Sequence, residues 1–219
     1  NAVVVPVVEI IARHMAPYLH QRKSITPYIQ KEVRVFNVVS SITGKPMMNF
    51  NNEIEAAQSF RNKIKDKKFH TILADPPWRF FNRTGKFSPE NKKLYLYPTL
   101  SLEEIIKIPV QSCTLEPAHL YLWVPNALIF EGLQVMKSWG FSYKTNIVWH
   151  KVSKDGGSDR RGVGFYFRNV TELILFGTKG KSARTLDAAR TQVNLIPSRK
   201  REHSRKPDEL YDLIERCSE

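Results

Sequence analysis

The sequence predicts an α/β fold: a sheet flanked by helices, with a small N-terminal extension over residues 1–50 and the main domain over residues 51–219. Three observations carry this reading. The strand-forming run Phe69-His70-Thr71-Ile72-Leu73 ends in Asp75-Pro76-Pro77-Trp78, where neither proline can continue a ladder because each lacks an N–H and has a fixed φ. A strongly apolar strand (118–124) is followed by a helical pattern (126–139) and a further strand (141–151). The last segment is an amphipathic helix opened by Pro207.

Taken in order, Val8, Ile11, Met15 and Leu19 fall at helical spacing, so residues 7–22 are expected to form an amphipathic helix bent near Pro17. Residues 31–39 alternate polar and apolar and read as a strand, and 40–46, with Gly44 and Pro46, as a turn. A second helix is expected over 52–65, with Ile54, Ala57, Phe60 and Ile64 on one face. Five basic residues between Arg61 and Lys68 lead into the Phe69 strand and are candidates for phosphate contact. Residues 79–97 interleave Phe80, Phe81, Phe87, Tyr95 and Tyr97 with lysines, without clear periodicity, as a lid or binding loop would.

Ser101-Leu102-Glu103-Glu104 is a capping box at the start of a short helix. Gly140 ends the 126–139 helix. Residues 153–164 form a basic loop in which Arg160 and Arg161 are expected to touch phosphate or substrate. The strand 170–178 carries Glu172 inside an apolar run, and an acid there needs a partner. A short strand over 192–197 precedes another basic run, 198–206. Leu210, Leu213, Ile214 and Cys217 form the buried face of the last helix.

Thirty-four Lys and Arg against twenty-one acids give a net charge of +13, which fits a polyanionic partner, nucleic acid first. Cys113 and Cys217 show no metal-ligand spacing, which argues against a disulfide framework or a zinc site and fits a reducing compartment. No metal site and no membrane span are expected, and the apolar stretch 2–12 is too short and too broken for a signal peptide.

Asp75 is expected at a strand's carboxyl end, where open α/β sheets bind ligands. Its carboxylate and the Pro76 carbonyl could hold both hydrogens of an aromatic amino group, aiming the nitrogen lone pair at an electrophile. Trp78 offers a ring on which a base could stack.

Asp75-Pro76-Pro77-Trp78 resembles the catalytic tetrapeptide of amino-group methyltransferases that use S-adenosylmethionine. Leu120-Tyr121-Leu122-Trp123-Val124 and Asn146-Ile147-Val148-Trp149-His150-Lys151 resemble blocks of the MT-A70 family of adenine N6-methyltransferases. So do Asn169-Val170-Thr171-Glu172-Leu173 and Lys206-Pro207-Asp208-Glu209-Leu210-Tyr211, all in the family's order. The resemblance implies a Rossmann-like methyltransferase sheet, S-adenosylmethionine as cofactor, and methylation of adenine N6. It makes Asp75, Pro76, Pro77 and Trp78 catalytic, and places Asp75, Asn169 and Glu172 at the cofactor. Tyr97, Trp149 and Lys151 would lie near the acceptor base, joined by Arg160 and Arg161.

Two departures accompany it. Thr171 stands where some relatives hold a lysine, and the family's Glu-Leu-Phe segment, which contacts the cofactor's ribose and adenine, does not occur before Glu219. DNA is the favoured substrate, because residues 160–167 and 199–206 look like the bacterial and phage branch. An RNA adenine methyltransferase and a non-catalytic nucleic-acid-binding subunit stay open, as does a homo- or hetero-oligomer. Localisation is expected to be cytoplasmic and nucleoid-associated in a bacterium or phage, and nuclear in a eukaryote.

Overall fold

The computed structural model describes residues 7–11, 34–37, 67–79, 99–159, 166–199 and 206–219. Seven strands make one sheet: β1 (Val7–Ile11), β2 (Arg34–Asn37), β3 (Phe69–Asp75), β4 (Thr114–Val124), β5 (Ser142–Val152), β6 (Thr171–Lys179) and β7 (Leu195–Arg199). Their spatial order is β2-β1-β3-β4-β6-β5-β7. β6 runs antiparallel to both its neighbours, and the other pairings are all parallel. Among the described residues three α-helices flank it, α1 (Leu102–Ile106), α2 (Ile129–Ser138) and α3 (Asp208–Cys217), with short 3-10 turns between elements. This is the expected α/β, Rossmann-like sheet.

One element differs from its sequence reading. Residues 7–11 form a strand paired parallel with β3, with Ile11 opposite Asp75, rather than the start of a helix. The Val8–Leu19 spacing is helical, but Val7, Val8, Ile10 and Ile11 are β-branched, and a short apolar run beside an available sheet neighbour goes to the sheet. β2 lies inside the strand expected over 31–39. The helix expected over 52–65 and the turn at 40–46 lie outside the described residues.

Alternation along the strands divides the core into two faces. In β4, Ala118, Leu120, Leu122 and Val124 join Ile105 of α1 and Val135 and Met136 of α2 on one side. Tyr121 and Trp123 join Leu210, Leu213, Ile214 and Cys217 of α3 on the other. The apolar stripe read for the last helix is thus its packed face.

The helix ends follow local chemistry. Ser101 Oγ accepts from the Glu104 N–H, and the Glu104 carboxylate accepts from the Ser101 N–H, closing the expected capping box. At the far end of α2 the N–H groups of Gly140 and Phe141 bond the carbonyls of Lys137 and Met136, with Gly140 at φ +83°. That left-handed turn, which favours glycine, swings the chain directly into β5.

A charge cluster at the end of the third strand

Four strand ends converge on the α3 side of the sheet. Because side chains alternate, Asp75 follows Leu73 onto this face, Trp123 follows Tyr121, Lys151 follows Trp149, and Glu172 precedes Ile174. Lys206 arrives from the helical layer on the same side, immediately before Pro207 at the α3 N-cap.

These side chains form one bonded network. The Lys206 ammonium lies 2.9 Å from Glu172 Oε2 and 3.4 Å from Asp75 Oδ2. Lys151 Nζ donates to the other Glu172 oxygen, Oε1, at 2.6 Å. Each ammonium also sits over an indole: Lys206 4.1 Å from the Trp123 ring centroid, Lys151 4.9 Å from that of Trp149. The two rings meet edge to face at 5.9 Å.

The electrostatics follow from this pairing. Burial pushes the Glu172 carboxyl up, but Lys206 and Lys151 outweigh it and hold it at about 2. Burial likewise works against the Lys206 ammonium, yet Asp75 and Glu172 outweigh it and hold it above the ordinary lysine value. The partner that Glu172 needed is therefore two lysines.

The Asp75-Pro76-Pro77-Trp78 turn is fixed by its own backbone. The Trp78 N–H donates to the Pro76 carbonyl at 2.9 Å, and the Leu100 N–H to the Pro77 carbonyl at 2.8 Å. The Pro76 oxygen thus uses one lone pair in the turn and keeps a second acceptor direction. Arg79 closes the base of the following segment, donating to the Thr99 carbonyl at 2.9 Å and lying 3.7 Å from Glu104.

Two tryptophans stand elsewhere than expected. Trp78 is buried on the α1–α2 side, with its indole N–H donating to the Trp123 carbonyl at 2.9 Å. In this packing the ring is covered, where the sequence reading had it offer a face to a base. Trp149 is also buried, its N–H on Ser198 Oγ at 2.9 Å, so it supports Lys151 from beneath and presents no free face to a substrate. An indole fills the core readily once its N–H has an acceptor, and both found one.

Of the sequence-predicted residues, Asp75, Lys151 and Glu172 come together, with Pro76 and Pro77 in the adjoining turn. Asn169 belongs to a separate group: its Oδ1 accepts from the Asn126 amide at 3.4 Å, which also donates to the Thr171 carbonyl and hydroxyl. Tyr97, Arg160 and Arg161 lie outside the described residues. The residue that sequence reasoning did not assign to the site is Lys206, named there only within a basic run and the Lys206–Tyr211 block. Its signal was the proline that follows it, which opens α3 and fixes where the lysine enters. Among the described residues no group of His, Cys, Asp or Glu could hold a metal ion, and no described helix is long and apolar enough to cross a membrane.

Comparison with known proteins places the cluster in context. The profile of the MT-A70 family matches residues 69–219. The chain is 29% identical over 179 residues to the type II methyltransferase M.MunI of a Mycoplasma species, covering 75% of this chain and 73% of that protein. It is 29% identical over 157 residues to the human N(6)-adenosine-methyltransferase catalytic subunit METTL3, covering 69% of this chain and 24% of METTL3. An N(6)-adenosine-methyltransferase MT-A70-like protein of Arabidopsis thaliana is 28% identical over 162 residues, 73% of this chain and 21% of its own length. The chain thus spans most of the bacterial relative and under a quarter of each eukaryotic one.

Proposed function

Because the chain belongs to the MT-A70 family, we propose that it methylates the N6 amino group of adenine in DNA, with Asp75 and the Pro76 carbonyl holding that group. As a methyltransferase of this family it depends on S-adenosylmethionine. The observation that carries the proposal is Asp75 at the carboxyl end of β3, 3.4 Å from the Lys206 ammonium and followed at once by the rigid Pro-Pro turn.

The cluster's donor set suits a zwitterionic cofactor. The ammoniums of Lys206 and Lys151 match a carboxylate, and the carboxylates of Asp75 and Glu172 match an ammonium or hydroxyl. S-adenosylmethionine supplies an electrophilic methyl group; the remaining work falls to the chain. A carboxylate has about four acceptor directions, so Asp75 can keep Lys206 and still accept an amino hydrogen. With the second hydrogen on the Pro76 carbonyl, the adenine nitrogen loses conjugation with its ring and its lone pair faces the methyl group. Positive charge then develops on nitrogen, beside the Asp75 carboxylate that offsets it. The N–C bond would form as the sulfonium S–C bond breaks, releasing the neutral thioether, and the extra proton would then leave the nitrogen to water. A duplex substrate has to extrude its adenine to reach this position.

DNA is favoured by the extent of the match to the type II methyltransferase, 73% of whose length the chain spans, and by the net charge of +13. RNA is the second reading, favoured by the several relatives named as N(6)-adenosine-methyltransferases. The deciding experiment incubates the protein and its Asp75→Ala form with S-adenosylmethionine and matched DNA and RNA oligonucleotides, and quantifies N6-methyladenine by mass spectrometry. We expect product on DNA and a loss of about 10²- to 10³-fold in Asp75→Ala. Product chiefly on RNA reverses the substrate assignment. Absence of product on both, together with no S-adenosylmethionine binding by calorimetry, would overturn the enzyme reading and leave the non-catalytic nucleic-acid-binding subunit as the alternative.

A further inference from the structure

We propose that Trp123 is a positioning residue: the face of its indole ring fixes the Lys206 ammonium beside Asp75, while its backbone anchors the Pro-Pro-Trp turn. The inference deepens the reading of Asp75 as the carboxylate that holds the substrate amino group, and rests on it.

The Lys206 ammonium is contacted on three sides, by Asp75 Oδ2 at 3.4 Å, Glu172 Oε2 at 2.9 Å and the Trp123 ring at 4.1 Å. Two carboxylates alone define a line along which a flexible four-carbon side chain can slide. A third contact over an aromatic face turns that line into a point. Trp123 is itself immobilised: it is 2% exposed, it pairs with Ile174 of β6, and the Trp149 ring braces its edge at 5.9 Å. Its carbonyl receives the Trp78 indole N–H at 2.9 Å. One residue therefore references both halves of the site, the turn that carries Asp75 and the lysine that faces it.

What Trp123 presents to Lys206 is its ring face, 4.1 Å from the ammonium, while its indole N–H makes no hydrogen bond to any described residue.

That distinction makes a test independent of substrate. The accessibility and charge of Lys206 are read from its rate of acetylation by acetic anhydride, quantified by mass spectrometry on the peptide containing it. Trp123→Phe keeps a smaller aromatic face under the ammonium while losing the second ring and the N–H, so its rate should stay within about threefold of the wild type. Trp123→Leu keeps apolar bulk without a π face, and Lys206 should react about 5- to 30-fold faster, the factor for a desolvated cation–π contact. If Trp123→Leu does not fold, Trp123→Met provides the same comparison. In turnover the Leu or Met variant should lower kcat with little change in oligonucleotide KM, and Phe should restore it. Equal labelling of the Phe and Leu variants, or wild-type labelling in Trp123→Leu, overturns the inference. Labelling in the expected order by a protein that makes no N6-methyladenine would leave the Trp123 assignment standing and remove only the reading of Asp75.

Discussion

Replacing Glu172 by glutamine should cost the protein a pH-dependent part of its stability. The carboxylate bridges Lys151 at 2.6 Å and Lys206 at 2.9 Å, and the two ammoniums hold it at about 2 against an ordinary 4.5. One unit of difference between folded and unfolded states is about 1.4 kcal/mol, so the pairing contributes about 3 kcal/mol at neutral pH. The carboxylate is half-buried, so the cost of leaving the two lysines short of an anion stays at the lower end of the range for a buried pair, about 3 kcal/mol. For a chain of this size that corresponds to a fall in melting temperature of about 6–12 °C.

The sign of the pH dependence follows from the depressed folded value. Above about 4.5 the group is ionised in both states and its stabilisation is complete; it fades as pH falls from there towards 2. Urea midpoints of the wild type and Glu172→Gln, measured from pH 7.5 down to 3.5, should therefore run parallel above pH 5 and converge below it. A gap under about 1 kcal/mol at pH 7, or one that stays constant to the acid end, would refute the argument that the two lysines hold Glu172 ionised.

Two other perturbations test parts of the fold that seat the cluster. His119, buried on β4, bonds Ser218 Oγ through Nδ1 at 2.8 Å and the Ala183 carbonyl through Nε2 at 3.3 Å, and burial lowers its pKa below the ordinary 6.5. The unfolded chain takes up that proton first, so stability should decline as pH falls below 6.5, and His119→Gln should flatten that part of a urea-midpoint profile. An unchanged slope in His119→Gln would remove His119 as its source. Gly132 lets α2 approach β4 so closely that an added Cβ would lie 2.6 and 2.8 Å from the two Val124 methyl carbons. Gly132→Ala should thus destabilise by about 1–3 kcal/mol through overpacking, despite alanine's helix preference of about 1 kcal/mol, and calorimetry showing a raised melting temperature would contradict this.

The readings that succeeded were those whose cause lies within a few residues. The capping box needs only Ser101 and Glu104, the end of α2 only Gly140, and the end of β3 only two prolines without an N–H. The same holds for the buried stripe of α3, where Leu210, Leu213, Ile214 and Cys217 recur at helical spacing. Glu172 could be recognised as an acid in need of partners for the same local reason, but nothing local could say which.

The tertiary structure decided what depends on strand order and register. Lys151 and Glu172 lie 21 residues apart and Glu172 and Lys206 34 apart, and they meet only because β5 and β6 are antiparallel neighbours and α3 crosses their face. Packing likewise sends Trp78 to one side of the sheet and Trp123 to the other, so the tryptophan of the motif lies away from the lysine while Trp123, to which the sequence reading gave no role, sits under it. Residues 7–11 show the same limit, since their apolar spacing satisfies a helix or a strand and the free backbone of β3 chose between them. The sequence by itself determined where a rigid acidic turn interrupts an α/β sheet and which family that turn belongs to. Which charges surround the acid was settled by long-range pairing, because side-chain periodicity assigns a residue to a face but carries no record of what lies across it.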